Sequence, residues 1–266
     1  MEVLRRKITS RFHKACADYQ LIADGDHILI GLSGGKDSLL LTELLGRRAQ
    51  IYKPRFTVSA LHVRVKERDY HTDLSYLESF CAEAKVPLIV RDTEIGENPT
   101  GVAGPTASAV LQRSGPTAQR SYANPCFLCS WYRRKTLFNV AQELGCNKIA
   151  FGHHRDDVAQ TLLMNLIFQG AFATMPPILQ MDKMPLQLIR PLCLIDETDI
   201  IAYAAMRGYE KQTKLCPFEH FSSREKVKDL LTQLKTLNPE AINSLFGAMT
   251  NIKTDYLPNP LTTNRI

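Results

Sequence analysis

The stretch His27-Ile-Leu-Ile-Gly-Leu32, followed directly by Ser33-Gly-Gly-Lys-Asp-Ser38, decides the fold of this chain. The first segment is a short continuous apolar run, which is typical of a parallel strand buried on both faces. A helix is predicted from about residue 37 to residue 50, so the hexapeptide joins a buried strand to a helix. In an open parallel sheet, ligands bind at this kind of junction, beyond the carboxyl end of a strand.

The hexapeptide has the residues needed to bind a phosphate group. Gly34 and Gly35 let the backbone turn tightly and bring amide groups close to an anion. The helix that follows directs free N–H groups and the positive end of its dipole to the same place. Ser33 and Ser38 add hydroxyl donors, and Lys36 adds a positive charge. The spacing differs from G-x-x-x-x-G-K-[ST], which argues against a kinase-type or motor-type nucleotide site.

The rest of the chain alternates strands with helices. Four further strands are predicted at residues 56–63, 86–90, 148–151 and 186–189. This alternation predicts an α/β fold with a doubly wound five-stranded parallel sheet and a helical C-terminal extension. We divide the chain into a basic N-terminal helix (residues 1–26), a main domain (residues 27–210) and the extension (residues 211–266). A loop rich in glycine and proline at residues 93–125 interrupts the main domain, and we interpret it as a flexible cover of an active site.

Composition excludes several classes of protein. The chain has 266 residues, of which 44% are hydrophobic and 23% are charged, so it is not wholly disordered. No apolar run approaches the roughly 18 residues of a membrane-spanning helix. The segment Met1-Glu-Val-Leu-Arg-Arg-Lys7 contains no apolar signal core. We therefore expect a cytoplasmic protein that does not cross a membrane.

The net charge of +6 is compatible with a polyanionic partner. Basic residues cluster on the first predicted helix, at Arg5, Arg6, Lys7, Arg11 and Lys14. A second cluster, Arg133-Arg-Lys135, follows the pair Trp131-Tyr132. Solvated helix faces explain either cluster alone equally well.

Seven cysteines occur in the chain, and an odd number without an export signal argues against a disulfide framework. Four of them are spaced like ordinary small core residues, namely Cys16, Cys81, Cys146 and Cys193. Cys126 and Cys129 instead form a C-x-x-C pair, and Cys216 stands alone later in the chain.

The segment Gly152-His-His-Arg-Asp-Asp157 follows the fourth predicted strand, across the sheet from the phosphate loop. Asp156 and Asp157 open a helix there, and N-terminal capping explains one carboxylate more readily than two. His62 lies at the end of the second predicted strand, where it is either a buried core histidine or part of a binding site.

Together these motifs resemble the N-type ATP pyrophosphatases, whose fold is of the adenine nucleotide alpha hydrolase type and which split ATP between the α and β phosphates. Within that superfamily the chain is most similar to the tRNA 2-thiocytidine synthetase (TtcA) family. The similarity runs in order from about residue 4 to residue 257. It rests on the phosphate loop, Pro125-Cys-Phe-Leu-Cys-Ser130 with Arg133-Arg134, Gly152-His-His-Arg-Asp-Asp157, Ala173-Thr-Met-Pro-Pro177, Ile189-Arg-Pro-Leu192 and Cys216. The chain departs from the family in its longer glycine- and proline-rich loop and in the absence of a second C-x-x-C at Cys216.

The resemblance implies ATP-dependent thiolation of a cytidine in a tRNA anticodon loop. ATP would adenylate the C2 carbonyl oxygen, and sulfur would then replace it. The resemblance places ATP against Ser33, Gly34, Gly35, Lys36, Asp37, Ser38, His62 and Gly152. It makes Lys36, Asp37 and Asp156 the candidate catalytic residues, with Mg²⁺ bridging the phosphates and Asp37 a further candidate ligand of that ion. The basic first helix and residues 131–135 are expected to contact tRNA phosphates and to stack an unpaired base.

In the resembled family three cysteines hold a [4Fe–4S] cluster with one open iron, so Cys126, Cys129 and Cys216 are the candidate ligands. The spacing Cys216-x-x-x-His220 also fits a closed Cys₃His zinc site, which spacing alone favours slightly and the resemblance disfavours. The implied partners are tRNA and a sulfur donor, either sulfide or a persulfide derived from a cysteine desulfurase. Members of the family often form homodimers, so a homodimer is a further expectation.

Two other functions share parts of this pattern. A ligase of the lysidine-synthetase type would keep the adenylation and use an amine as nucleophile, without need of three cysteines. A non-catalytic adenine-nucleotide sensor would bind ATP and release no pyrophosphate with any RNA.

Overall fold

The computed structural model describes residues 2–66, 73–95, 125–210 and 223–258. Its helices are α1 (Glu2–Asp18), α2 (Lys36–Ala49), α3 (Leu74–Glu83), α4 (Pro125–Glu143), α5 (Arg155–Gln169), α6 (Glu197–Arg207), α7 (Ser223–Leu237) and α8 (Ala241–Ala248). Its strands are β1 (His27–Gly31), β2 (Thr57–Val65), β3 (Leu88–Thr93), β4 (Lys148–Ala150), β5 (Ile178–Gln180) and β6 (Gln187–Ile189). A 3-10 turn, Thr254–Tyr256, follows α8.

The strands form one six-stranded sheet in the order β3-β2-β1-β4-β6-β5. The five predicted strands are β1, β2, β3, β4 and β6, and they pair in parallel, which confirms the doubly wound parallel fold. The sixth strand, β5, was not predicted. It pairs antiparallel with β6 at the edge of the sheet, and its three residues are too few to show an alternating pattern.

Strand β1 lies in the middle of the sheet and is buried on both faces, as its apolar run predicts. Ile28 and Ile30 belong to the core on the side of α1, α2 and α6. Leu29 points to the opposite side and packs in a second core with Leu137 of α4. Because successive side chains of a strand point to opposite faces, this short run supports two helical layers at once.

Helix α4 begins at Pro125. Proline is favoured at the first helical position because its missing N–H has no helical acceptor there and its φ angle already suits the helix. Cys126 and Cys129 therefore lie within the first turns of a helix.

Helices α7 and α8 pack on α5 through a small apolar cluster of their own. It contains Ala159, Leu231 and Ile242, with Leu163, Leu234 and Leu245 against it. Cys216 and His220 lie outside the described residues, as does most of the predicted loop at 93–125. The division of the chain into units at residues 1–26, 27–210 and 211–266 stays a prediction. No helix in the described part of the chain is long and apolar enough to cross a membrane.

A buried ion pair closes the amino-terminal end of the sheet, where β1 and β4 begin. The Lys148 ammonium lies 2.7 Å from an Asp26 carboxylate oxygen, and both side chains are only 5% exposed. Lys148 also donates to the Leu21 carbonyl at 2.9 Å, and Asp26 accepts from the Asn147 side-chain amide at 2.8 Å. This network is at the opposite end of the strands from the phosphate loop.

Candidate active site

A cavity of ≈ 300 Å³ opens at the carboxyl ends of β1, β2 and β4. It lies where the chain order reverses, since β1 pairs with β2 on one side and with β4 on the other. Such a switch point is where open α/β sheets bind ligands. The cavity is lined by residues 31–33, 37–38, 61–63, 133–134, 137, 151–153 and 157.

The phosphate loop forms one wall of the cavity. Gly34 has a φ angle of +79°, which favours glycine. The Ser38 hydroxyl donates to the Gly35 carbonyl at 2.9 Å and accepts from the Ser33 amide at 3.2 Å, which closes the turn. Gly35 is the N-cap residue of α2 and has no side chain that could cap the helix, while its own amide donates to Ser33 Oγ at 3.3 Å. The loop therefore offers a helix N-terminus to an anion.

Gly152, directly after β4, packs against the start of α2. A Cβ atom at this position would lie 2.9 Å from the carbonyl carbon of Asp37 and 3.1 Å from the Ser38 amide nitrogen. Real Cβ atoms essentially never approach a backbone atom so closely, and a backbone atom cannot rotate away as a side-chain end can. Glycine is therefore required at residue 152 for the two loops to touch.

Lys36 lies at the first position of α2, where its ammonium meets two carboxylates. Nζ is 3.2 Å from an Asp37 oxygen and 3.3 Å from Glu197 Oε1. Partial burial alone would lower the pKa of Lys36, but these two carboxylates outweigh it and the pKa lies above its ordinary value. Lys36 is therefore positively charged at neutral pH.

Two histidines line the cavity, His62 from β2 and His153 from the loop after β4. His62 is buried, and burial lowers its pKa despite the hydrogen bond to a backbone carbonyl. Its Nδ1 lies 2.9 Å from the Leu32 carbonyl oxygen, which can only accept, so the neutral ring carries its proton on Nδ1. Burial also lowers the pKa of His153, opposed by the Asp157 carboxylate. Both rings are therefore neutral at physiological pH.

The two carboxylates that open α5 have different surroundings. Asp157 lines the cavity, and one of its oxygens lies 2.6 Å from the Arg224 guanidinium of α7. Asp156 bonds the backbone amide of Glu197 at 2.8 Å and the Lys235 ammonium at 2.7 Å, so its oxygens face α6 and α7. Burial raises the pKa of each aspartate, but the facing cations and donors outweigh it, and both pKa values lie below the ordinary one.

His154 lies between the phosphate loop and the carboxylates of α5. Its Nε2 is 3.4 Å from an Asp157 oxygen and 3.9 Å from Asp37 Oδ1, and its Nδ1 is 3.9 Å from an Asp156 oxygen. Asp37 Oδ1 is buried and accepts no hydrogen bond from any described residue. This oxygen therefore has lone pairs available to a ligand on the cavity side of the loop.

Apolar side chains form the remaining wall of the cavity. Leu61 and Val63 of β2, Leu137 of α4 and Phe151 after β4 face it. Such a surface suits the flat face of a base beside a polar phosphate loop. Leu137 and Phe151 belong to none of the sequence motifs that predict the site. Phe151 directly follows β4, and His62 lies near the end of β2. A position at the carboxyl end of a strand is therefore the one sequence feature that could have identified Phe151.

The basic clusters are only partly available to a partner. Lys7 bonds Asp199 at 2.7 Å, and Arg11 pairs with Asp196, so these two cations attach α1 to the start of α6. Arg5, Arg6 and Lys14 are exposed, and among the described residues they pair only with acidic residues of α1. On α4, the Lys135 ammonium lies 5.3 Å from the centre of the Trp131 ring, while Arg133 and Arg134 reach the cavity.

The four cysteines that are spaced like core residues are buried or partly buried. Burial raises the pKa of Cys16 and of Cys193 to about 12, and that of Cys81 and of Cys146 to about 11, so these thiols are neutral core groups. Cys129 is 8% exposed in α4, two turns before the cavity-lining Leu137. Within the described ranges, which leave out Cys216, no group of three His, Cys, Asp or Glu side chains is arranged to hold a metal ion.

The predicted ATP-binding residues therefore converge on one place. Five of them line the cavity, namely Ser33, Asp37, Ser38, His62 and Gly152. Gly34, Gly35 and Lys36 form the turn between β1 and α2. Asp156 lies behind the cavity wall, and its neighbour Asp157 faces the cavity.

Comparison with known proteins identifies close relatives. No protein-family model matches the chain. A tRNA-cytidine(32) 2-sulfurtransferase of Shewanella woodyi is 34% identical over 254 residues, covering 94% of this chain and 73% of the relative. A protein of the same name from Methylobacillus flagellatus is 34% identical over 259 residues, covering 96% of this chain and 78% of the relative.

The fold has a solved counterpart. The U34-tRNA thiolase NcsA from Methanococcus maripaludis, determined with its [4Fe-4S] cluster, superposes with a TM-score of 0.71 at 25% identity. The superposition covers 100% of this chain and 86% of NcsA.

Proposed function

Because the chain belongs to the tRNA-cytidine(32) 2-sulfurtransferase family, we propose that it replaces the C2 oxygen of a tRNA cytidine by sulfur with ATP as the activating substrate. One observation supports this function beyond the family relationship. The phosphate loop, Gly152 and Asp157 meet at one cavity at the switch point of the sheet. An adenylating enzyme needs this arrangement, because triphosphate and acceptor must be held against each other.

ATP occupies the cavity with its phosphates on residues 33–38 and its adenine against the apolar wall. The amides at the start of α2 and the Lys36 ammonium bind phosphate oxygens. Asp37 is suited to bind Mg²⁺, since its buried Oδ1 accepts no hydrogen bond within the described residues. Protein sites usually hold Mg²⁺ with one or two carboxylates together with substrate phosphates. Asp157 is the second carboxylate on the cavity, and Asp156 supports the site from behind.

The reaction has two bond-exchange stages. The C2 carbonyl oxygen of cytidine attacks the α-phosphorus of ATP, and pyrophosphate leaves. Lys36 and the loop amides stabilise the charge that develops on the departing pyrophosphate. A sulfur nucleophile then attacks C2, the C2–O bond breaks, and AMP leaves with the former carbonyl oxygen.

Cys126, Cys129 and Cys216 would hold a [4Fe–4S] cluster, which supplies an open iron able to bind sulfide. The residues present fit this donor set. Cys126 and Cys129 are three residues apart in α4, so they lie on one face of the helix, and the same helix lines the cavity through Leu137. Thiolates are the ligands that iron–sulfur clusters prefer.

The partners follow from this chemistry. The substrate is tRNA, contacted by the exposed cations of α1 and by residues 131–135 of α4. The sulfur donor is sulfide or a persulfide derived from a cysteine desulfurase. We propose that the protein works in the cytoplasm, where its tRNA substrate is found. A homodimer is a further expectation, which rests on the resemblance to the family alone.

A metal analysis of the anaerobically purified protein tests the proposal. Iron and acid-labile sulfide are expected in the wild type and lost in Cys126→Ser, Cys129→Ser and Cys216→Ser. Cys146→Ser is the matched control, because Cys146 is a buried core thiol that should not bind iron. His220→Ala should keep its iron. A colourless protein that binds zinc and loses it on His220→Ala would contradict the proposed sulfur transfer.

A further inference from the structure

We propose that Glu197, at the first position of α6, is a positioning residue that holds the phosphate-loop Lys36 in place for ATP. The inference rests on the proposed function, since it assigns a role within the same site. Glu197 belongs to none of the sequence motifs that predict the active site. It is connected to the site only through the folded structure.

The contacts of Lys36 carry the first step. Its ammonium has three N–H donors, and two of them meet Asp37 at 3.2 Å and Glu197 Oε1 at 3.3 Å. The third donor is left for a phosphate oxygen. The Lys36 side chain is flexible, but two fixed acceptors hold its ammonium and thereby define where the third donor points. The carboxylates therefore orient Lys36 without using up its capacity to bind ATP.

The second step concerns Asp37, the other acceptor. Under the proposed function this carboxylate binds Mg²⁺ when ATP enters, which weakens its hold on Lys36. Glu197 is then the one carboxylate within the described residues that still holds the ammonium, because its own contacts are away from the cavity. Loss of Glu197 leaves a mobile lysine beside the phosphates.

Glu197 is itself held in place from two sides. Its backbone amide donates to Asp156 at 2.8 Å, which fixes the start of α6 against α5. Its Oε1 also accepts from the Lys228 ammonium of α7 at 2.9 Å. The Glu197 side chain is only 17% exposed. Burial raises the pKa of Glu197, but Lys228, Lys36 and His154 outweigh it, so the group is ionised at neutral pH.

The first turn of α6 offers a matched control. Asp199 lies two residues further along the same helix and is also a largely buried carboxylate. It pairs with Lys7 and Arg11 of α1 and does not contact Lys36. Asp199→Asn therefore removes the same kind of charge from the same turn while leaving the phosphate loop untouched.

The test is calorimetric titration with a non-hydrolysable α,β-methylene ATP and Mg²⁺ without tRNA, together with the kinetics of pyrophosphate release with tRNA. Glu197→Ala should bind the analogue about tenfold more weakly and release pyrophosphate at least about tenfold more slowly, the loss of one hydrogen bond to a charged group. Glu197→Gln keeps an acceptor oxygen and should restore both values to within about threefold of the wild type. Asp199→Asn should match the wild type in both.

Several results would overturn the inference. A Glu197→Ala variant that binds the analogue and releases pyrophosphate like the wild type would contradict the positioning role. Tighter binding of the analogue by this variant would mean that Glu197 competes with phosphate for Lys36. Glu197→Gln as defective as Glu197→Ala would also contradict it, since the retained oxygen would then hold nothing. A wild-type protein that binds the analogue but forms no pyrophosphate with any tRNA would instead contradict the proposed function, and the binding data would still decide the role of Glu197.

Discussion

Gly152 lies against the peptide between Asp37 and Ser38, so closely that a Cβ at residue 152 would be 2.9 Å from the Asp37 carbonyl carbon. The contact joins the loop after β4 to the phosphate loop after β1, two segments more than a hundred residues apart in the chain. The distance between the two halves of the site thus depends on the absence of one side chain.

Gly152→Ala should weaken ATP binding at least about tenfold, because the added methyl group forces two backbone segments apart at a typical overpacking cost of about 1–3 kcal/mol. Calorimetric titration with the non-hydrolysable analogue measures the change. Gly247→Ala is the control, since a Cβ at this position in α8 would meet no atom of the described residues within 4 Å. ATP affinity of Gly152→Ala equal to that of the control would mean that the two loops do not act together.

The two carboxylates that open α5 should differ when each is replaced by asparagine. Asp157→Asn should slow pyrophosphate release about a hundredfold with the fold retained, because Asp157 faces the cavity. Asp156→Asn should mainly lower the free energy of unfolding, by about 2 kcal/mol, because it weakens the contacts with Lys235 and the Glu197 amide. Urea denaturation and a pyrophosphate assay separate the two, and the reverse ranking in the assay would contradict the assignment.

The difference between Asp156 and Asp157 also marks the limit of what the sequence could predict. Local pattern places both residues at the start of a helix, which the structure confirms. Adjacent helical residues point about 100° apart, as follows from 3.6 residues per turn. Which one faces the cavity depends on α6 and α7, whose contacting residues lie far away in the sequence. Glu197 could not be found from the sequence for the same reason.

Other features were readable because they depend on local chemistry alone. The buried run of β1, the glycine turn and the start of α2 lie within one short stretch, and the structure confirms all three. The basic face of α1 illustrates the opposite case. Its charges were visible in the sequence, but the pairing of Lys7 and Arg11 with α6 was not.

The buried pair Lys148–Asp26 should contribute to stability and not to ATP binding. Lys148→Met leaves the Asp26 carboxylate buried without its cation, so the free energy of unfolding should fall by about 3 kcal/mol. Lys14→Met is the control, because its pair with Asp18 is exposed and should be worth less than about 1 kcal/mol. A stability loss no larger than that of the control would contradict the stabilising role of the pair. A loss of ATP affinity would contradict its separation from the ATP site.

Stability should decrease as the pH falls from 7 to 5, because burial keeps the pKa of His153 below the 6.5 of an unfolded chain. Below 6.5 the unfolded state binds protons that the folded imidazole does not, so the free energy of unfolding falls with pH. The lowered pKa values of Asp156 and Asp157 act only at more acidic pH. His153→Gln should remove up to about 2 kcal/mol of this decrease in urea titrations at the two pH values. An unchanged decrease in that variant would argue that His153 is protonated in the folded protein.

The fate of the cytidine oxygen tests the central claim most directly. A tRNA anticodon stem-loop carrying ¹⁸O at C2 of its target cytidine is incubated anaerobically with the protein, ATP, Mg²⁺ and sulfide, and the nucleosides and AMP are analysed by mass spectrometry. We expect one 2-thiocytidine, one pyrophosphate and one AMP per turnover, with the ¹⁸O in the phosphate of AMP. Thiolated RNA accompanied by unlabelled AMP would contradict adenylation of the C2 oxygen, and pyrophosphate release without sulfur in the RNA would contradict sulfur transfer.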